Sequence, residues 1–461
     1  MPGTFFGIEI GQRGLQAAQI GQDTVGHNIA NASTPGYSDQ RVNLVASDPY
    51  TNPDAADTVH TGMLGSGVQA ASITRAQDQF LNVQVWNGTS ALSNQTTQRD
   101  ALAQVQGAFG EPSTTGLSSA MSKFFGSMND LVSNPEDLGI RTTVVQSGNA
   151  MAQTFANIQG QLTGINQQLS NKTTADMSAL NSYGQQIAAL NVTIRQSVAQ
   201  GLQPNDLLDR RDALVADISG LANATVLSKS DGTINVSIGT TDLVTGTDSY
   251  TLTQPALVAR GDLQGGELGG IISAQTDVSG YQTSLDTLAS QTITQINNIH
   301  KGGAGLDGTT NLNFFTGTTA ATMAVNPQLV ANPQQVAAAA LPPPGQPVPP
   351  GDATNAIAMA ALENQKISGT GTALDGSTLS SFYTAMVADS GAKGQAATTS
   401  ADSATASLNQ LTQQKNTVTG VSTDNEMIDM MRYQRAYQAS AKVVQTMDSM
   451  IGTLITGLFS N

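Results

Sequence analysis

His27, His60 and His300 are the only imidazoles in the 461-residue chain, and there is no cysteine. Metal centres built on His and Cys need ligands at short, repeated spacings, and these three histidines are far apart in sequence. A His-dependent hydrolase also needs a serine on a nucleophile elbow, and no such motif accompanies them. Asp206, Asp209 and Asp212 form a candidate carboxylate cluster, but Arg210 and Arg211 are interleaved with it. Asp206 and Arg210 stand four apart, so the pattern predicts a helix-surface ion pair of about 0.2–0.5 kcal/mol rather than acid–base chemistry. Gly265-Gly266 and Gly302-Gly303 lack the Lys-Ser/Thr ending of a phosphate loop. His300 is expected to cap a helix end. These patterns predict no catalytic residue, no cofactor and no metal.

Composition narrows the class further. Charged residues are 11% of the chain, against about 25% in average soluble proteins. Aromatics are 4%, with Trp86 the single tryptophan, and the formal net charge is −15. A surplus of negative charge argues against nucleic acid, whose phosphates require Lys and Arg, and against an anionic membrane surface. The absence of cysteine excludes disulfides and thiolate chemistry. Residues 1–20 lack the basic start and apolar stretch of a cleaved signal peptide, and no run of about 18 apolar residues predicts a membrane span. Taken alone, these features suggest a cytoplasmic protein unless a dedicated export route acts without a cleaved signal.

The elements that position these residues are mostly helical. Residues 4–30 predict a helix with Ile8, Leu15 and Ile29 on one heptad position and Ala18 and Val25 on the other, Gln22 and Gly11 being the exceptions. It ends near Asn31, because Pro35 disfavours helix at Thr34 and Pro35-Gly36 marks a turn. Residues 40–75 read as extended or irregular, and a helix runs from there to Phe109. Another is expected to start at Asn134-Pro135-Glu136-Asp137, with Asn134 as cap. Residues 155–199 carry two apolar seams joined by a stutter between Leu169 and Leu180, and 205–221 is helical.

The period then changes to two. Ile234, Val236 and Ile238 alternate beside Asp231-Gly232, predicting a hairpin in a small antiparallel sheet over about 224–265. Helices return at 271–300, 354–363 and 378–418. Six of the nine residues from Pro342 to Pro350 are proline, which predicts a spacer. Near the C-terminus, Met430, Tyr437, Val444, Ile451 and Leu458 are spaced by seven, and Tyr433, Ser440, Met447 and Leu454 keep the same period offset by three. Such a seam specifies coiled-coil packing. Met431, Ala436, Val443, Met450 and Ile455 widen the stripe beyond what one partner helix covers.

The expected fold is mainly α with a small β part, long coiled-coil-like helices from both termini packing together around an inserted antiparallel β subdomain. The expected division is 1–60 plus 415–461 as a terminal helical core, and 61–223 plus 271–300 plus 354–414 as a helical bundle. Residues 224–270 form the β-hairpin subdomain and 301–353 an irregular Pro-rich linker. Two arrangements satisfy the terminal seams: tails that order only on assembly with other subunits, or an ordinary intramolecular bundle. The expected interface is Ile8, Leu15, Ala18, Val25, Ile29, Met430, Tyr433, Tyr437, Val444, Met447, Ile451, Leu454 and Leu458.

The stretch Asn28-Ile29-Ala30-Asn31-Ala32-Ser33-Thr34-Pro35-Gly36-Tyr37-Ser38 resembles the N-terminal signature of flagellar rod, hook and hook-associated proteins. Gln40-Arg41-Val42, Gly65 to Val68, Ile73-Thr74-Arg75 and Asp78 to Phe80 resemble the segment directly after that signature. Asn134-Pro135 with Arg141, the run Asn205 to Val215, Gly266 to Ile271, Asn297 to His300, Phe314-Phe315 and Ser422 to Tyr437 resemble the narrower hook-associated protein 1 family. Asp39 departs from the pattern, standing where the family more often has a basic residue.

The resemblance implies a non-enzymatic structural subunit of the flagellum, exported unfolded by the type III apparatus without a cleaved signal and assembled extracellularly. Its implied partners are copies of itself in a helical layer, the hook protein below, a second junction protein above and a cytoplasmic export chaperone at the C-terminal region. Asn28, Asn31, Pro35, Gly36 and Tyr37 are then the signature turn, which directs the terminal helix. Longer relatives carry an outer β domain, which is expected to be reduced or absent in this chain. The readings set against this one are a hook or distal-rod protein and a secreted enzyme on an axial scaffold.

Overall fold

Both terminal seams become helices. A computed structural model describes residues 5–49, 65–343 and 345–459. In chain order the elements are α1 (Phe6–Asn31), β1 (Gln40–Ala46), β2 (Val68–Arg75), α2 (Gln79–Phe109), α3 (Leu117–Ser133), α4 (Leu138–Ala199) and α5 (Asn205–Leu221). Then come β3 (Ala224–Ser228), β4 (Ile234–Ile238), β5 (Thr241–Thr245), β6 (Asp248–Ser249), α6 (Gln254–Arg260) and α7 (Gly266–Lys301). Short elements come next: β7 (Gly303–Ala304), β8 (Phe315–Thr316), β9 (Ala324–Val325), α8 (Pro327–Ala331) and β10 (Ala339–Ala340). The chain closes with α9 (Thr354–Ala361), α10 (Leu379–Thr419) and α11 (Thr423–Phe459).

Two units divide this material. The first takes Met1–Ser90, Ala179–Gln264 and Thr405–Asn461, the second Ala91–Ser178 and Gly265–Ala404. This differs from the expected division: the small sheet belongs to the unit that holds the terminal helices.

In the first unit α1 and α11 pack antiparallel, Gly7 lying against Met447 and Gly21 against Tyr433. The stretch read as extended or irregular is a β-hairpin, with β1 and β2 antiparallel from Gln40 opposite Arg75 to Ala46 opposite Val68 and a bulge at Asn43/Leu44. The other sheet has the order β3-β4-β5-β6. Its Asp-Gly turn forms as expected, with Asp231 Oδ1 accepting from Thr233 N at 3.0 Å and Gly232 at φ +85°. Ile234, Val236 and Ile238 are buried, and two asparagines of α4 bind the backbone here. Asn191 Nδ2 donates to Ile234 O at 2.8 Å and Gly246 O at 2.6 Å. Asn181 exchanges both of its amide bonds with Leu252. Buried backbone groups need partners, and asparagine supplies a donor and an acceptor where the ladder has ended.

The second unit is built on large side chains. Phe109, Phe124, Phe125, Phe155, Phe314, Phe315, Tyr281 and Tyr383 are all buried in one cluster. Each such side chain contributes about 1.5–3 kcal/mol relative to exposure. The α4 helix starts at Leu138, later than Asn134, because Asp137 Oδ1 accepts from Gly139 N and Ile140 N at 2.6 and 3.2 Å and is the true cap. It runs 62 residues without interruption through the stutter. The α7 helix begins at Gly266 rather than at 271, and Gly270 lets it close on α2: a β-carbon there would sit 2.6 Å from Asn94 O.

Residues 301–353 are not all linker. Phe314, Phe315, Met323, Leu329 and Val336 are buried in the core. Three buried polar side chains fasten this segment. Arg141 donates to Pro135 O, Gln334 O and Val336 O. Asn297 bonds Phe314 N, Phe315 N and Phe315 O. His300 is fully buried, and it does not cap its own helix. Its Nδ1 lies 2.6 Å from Leu312 O and its Nε2 accepts from Ala337 N at 3.0 Å, which defines the neutral Nδ1–H tautomer. Burial holds its pKa down at about 4, with Arg141 acting in the same sense. Only the prolines near its end keep the character of a spacer.

Candidate assembly interface

The α1 face that meets α11 is made of small residues. Gly11, Ala17, Ala18, Gly21, Thr24 and Val25 are buried. A β-carbon at Gly7 would lie 2.7 Å from Met447 Cε, at Gly11 2.6 Å from Val444 Cγ2, and at Gly21 2.5 Å from Tyr433 Cδ1. The three glycines therefore let the backbone of α1 approach within reach of the larger side chains opposite. Gly11, an exception to the heptad in sequence, is one of the closest contacts in space. Ala18 and Val25 are buried, whereas Ile8 and Leu15 are half-buried and Ile29 is exposed.

On α11, Met430, Tyr433, Val444, Met447 and Ile451 are half-buried, while Tyr437 and Leu454 are exposed. The side chain of Leu458 lies outside the described residues. Met427, Ile428, Met431, Val443, Met450, Leu454 and Ile455 of α11 are each at least 41% exposed, an uncommon number of large apolar side chains to leave in water on one helix.

At the base of the pair lies the signature turn. Thr34 N donates to Asn31 O and Tyr37 N to Thr34 O, with Gly36 at φ +81°, where glycine has no Cβ clash. Pro35 is exposed, and Asn31 donates to His27 O at 3.0 Å. Asn28, almost wholly buried, is the hub. Its Nδ2 lies 2.9 Å from each of Asp39 Oδ1, Gln40 O and Glu426 Oε2. Its Oδ1 accepts from Tyr37 Oη at 2.7 Å and Gln40 N at 3.1 Å. Burial, then the carboxylates of Asp206, Asp209, Asp39 and Glu426, push the Tyr37 phenol well above the usual tyrosine range, so it remains a donor.

The turn docks on α5. Ser38 N and Oγ donate to the two oxygens of Asp209 at 2.9 Å. Arg75 from β2 pairs with Asp209 at 2.5 Å and Asp212 at 2.8 Å, all three side chains largely shielded. Asp206 is not paired with Arg210 as expected; it accepts from Gln40 Nε2 at 2.7 Å and faces His27 Nε2 at 3.4 Å. Arg211 reaches the sheet instead, donating to Gly232 O at 2.6 Å. These acids join elements far apart in sequence. Asp39, the departure from the family pattern, is buried and accepts from Arg41 Nε at 2.9 Å.

Arg75 and Glu426 were missed as members of this site. Their signal was faint: an Arg closing one strand and an acid opening the last helix. His60 lies outside the described residues. Among those described, no group of three or more His, Cys, Asp or Glu is placed to hold a metal ion, and no helix is long and apolar enough to cross a membrane.

The terminal helices thus pair over a Pro-Gly turn, with a helical body between them in sequence. Three family models match along the chain: "Flagella basal body rod protein" over residues 8–37, "Flagellar hook-associated protein FlgK helical domain" over 102–315, and "Flagellar basal body rod FlgEFG protein C-terminal" over 413–457. Flagellar hook-associated protein 1 of Bacillus subtilis is 28% identical over 509 aligned residues, covering 99% of each chain. The Salmonella typhimurium protein of the same name is 27% identical over 66% of this chain, and this chain spans 58% of its length. The hook junction protein FlgK from Burkholderia pseudomallei shares the fold with a TM-score of 0.64 at 16% identity, over 73% of this chain and all of that one. These matches make the chain similar, along its whole length, to flagellar hook-associated protein 1.

Proposed function

We propose that this chain is a structural subunit of the bacterial flagellum that forms the hook–filament junction by helical self-assembly. The observation that carries the mechanism is the set of large apolar side chains of α11 that stay exposed while Tyr433, Val444 and Met447 pack on α1. A helix pair that leaves such side chains wet recovers the ordering entropy of its outer part only by burying them. Neighbouring copies meeting through two different surfaces make a heterologous contact, which propagates as a helical layer. The outer half of the pair, where Met450, Leu454 and Ile455 stand exposed, orders on assembly, and the terminal pair lines the inner tube.

The same surface supports the remaining partners: the hook protein below, a second junction protein above and, before export, a cytoplasmic chaperone shielding the C-terminal region. Secretion through the flagellar export apparatus without a cleaved signal completes this reading. The role requires no catalysis.

Deletion of residues 420–461 tests it. The expected outcome is cells with hooks but no filaments and with flagellin lost to the medium. Normal filaments on that mutant overturn the reading.

A further inference from the structure

Asn28 presents two amide hydrogens to three acceptors, and two of the three belong to carboxylates. Asp39 Oδ1 and Glu426 Oε2 each lie 2.9 Å from the same nitrogen. The two oxygens are therefore no more than 5.8 Å apart, the sum 2.9 + 2.9. Asn28, Asp39 and Glu426 are all buried as residues. Asp39 has a cation, Arg41 Nε at 2.9 Å. Among the described residues no Lys, Arg or His lies within ion-pair distance of Glu426.

We propose that the Asn28–Asp39–Glu426 contact is a proton-sensitive latch between the start of α11 and the signature turn, closed with a proton on Glu426 and loosened when that carboxylate ionises. A neutral Glu426 removes the repulsion between two shielded acids and relieves the shortage of hydrogens at Asn28. The surroundings act in the same direction. Burial raises Glu426, and Asp39 and Asp429 add to the effect; the hydrogen bond from Asn28 and the charge of Arg41 oppose it.

The remaining charged or titratable neighbours can be assigned. Tyr37 on the turn stays neutral and donates to Asn28. Arg432 on α11 is engaged by Asp429 at 3.1 Å. On α5, Asp206 accepts from Gln40, while Asp209 is taken by Ser38 and Arg75.

The sign is set by linkage. A carboxylate raised in the closed form binds a proton there at a pH where the open form has lost it. Closure is therefore strongest below the ordinary glutamate range and weakens as pH rises through the raised value. The latch concerns the single chain and does not depend on copies stacking.

Hydrogen–deuterium exchange on the full chain, corrected for intrinsic rates, tests it over about pH 4.5 to 8. Protection of residues 423–430 in the native protein is expected to fall as pH rises, roughly tenfold for each unit by which Glu426 lies above its ordinary value. Glu426→Gln, which keeps an acceptor and cannot ionise, is expected to be protected equally across the range. Asp39→Asn is expected to move the fall to lower pH, and exchange in the second unit reports that each variant is folded. The proposal is overturned if Glu426→Gln tracks the native profile, if native protection is flat with pH, or if 423–430 is unprotected throughout.

Discussion

Phe124, Phe125, Phe314 and Phe315 of the second unit are buried and pack ring on ring, three contacts edge to face and Phe124–Phe315 tilted, with centroids 4.7–5.6 Å apart. The α1–α11 pair of the first unit is held by the opposite device. Glycine and alanine on α1 receive Val444, Met447 and Tyr433, and large apolar residues of α11 remain outside the contact. One region buries its large side chains; the other leaves several of them in water. The difference teaches where stability and assembly reside. Filling a core with aromatics fixes one structure, whereas the close helix pair leaves large apolar side chains of α11 uncovered, which is what the proposed assembly would use.

The comparison can be broken in three ways. The largest expected effect is on the aromatic cluster: Phe124→Ala should cost about 3–5 kcal/mol of the second unit's stability, read by chemical denaturation. An effect below about 1 kcal/mol would mean that the cluster is not the keystone it looks to be. Next, Gly11→Val should weaken the terminal pair by about 1–3 kcal/mol through overpacking against Val444, seen as faster proteolysis of both ends with an unchanged middle. Smallest in stability is Leu454→Ser with Ile455→Ser, within about 0.5 kcal/mol for the isolated chain because both residues are exposed. The same pair should abolish filament attachment in cells. Normal attachment would show that these exposed side chains have no partner.

Much of the fold was legible. The helix over 205–221, the Asp-Gly turn and the terminal seams were readable because local periodicity and turn chemistry specify them. Gly11 was misread because a one-dimensional pattern scores glycine as a gap, while in space the gap admits Val444. The Asn134 start was misplaced by a few residues because several good capping residues stand in a row and Asp137 prevails. Residues 301–353 read as linker because the order within that stretch is imposed from afar: Arg141 holds Val336 O across 195 positions. Asp206 was given a local partner because sequence displays only neighbours along the helix, and Gln40 lies 166 positions away. The interface seams were half legible: Ala18 and Val25 are buried, but which side chains of α11 stay uncovered depends on the crossing with α1, which sequence does not display.

The antiparallel union of the first and last helices also sets a timetable. Asn28 and Glu426 are 398 positions apart, so as the polypeptide leaves a ribosome α1 appears long before its mate. Through that delay the leading segment offers mostly glycine, alanine and threonine on its inner side, a surface with little to attract strangers. The stickier member of the couple is delivered later, when its companion is already waiting.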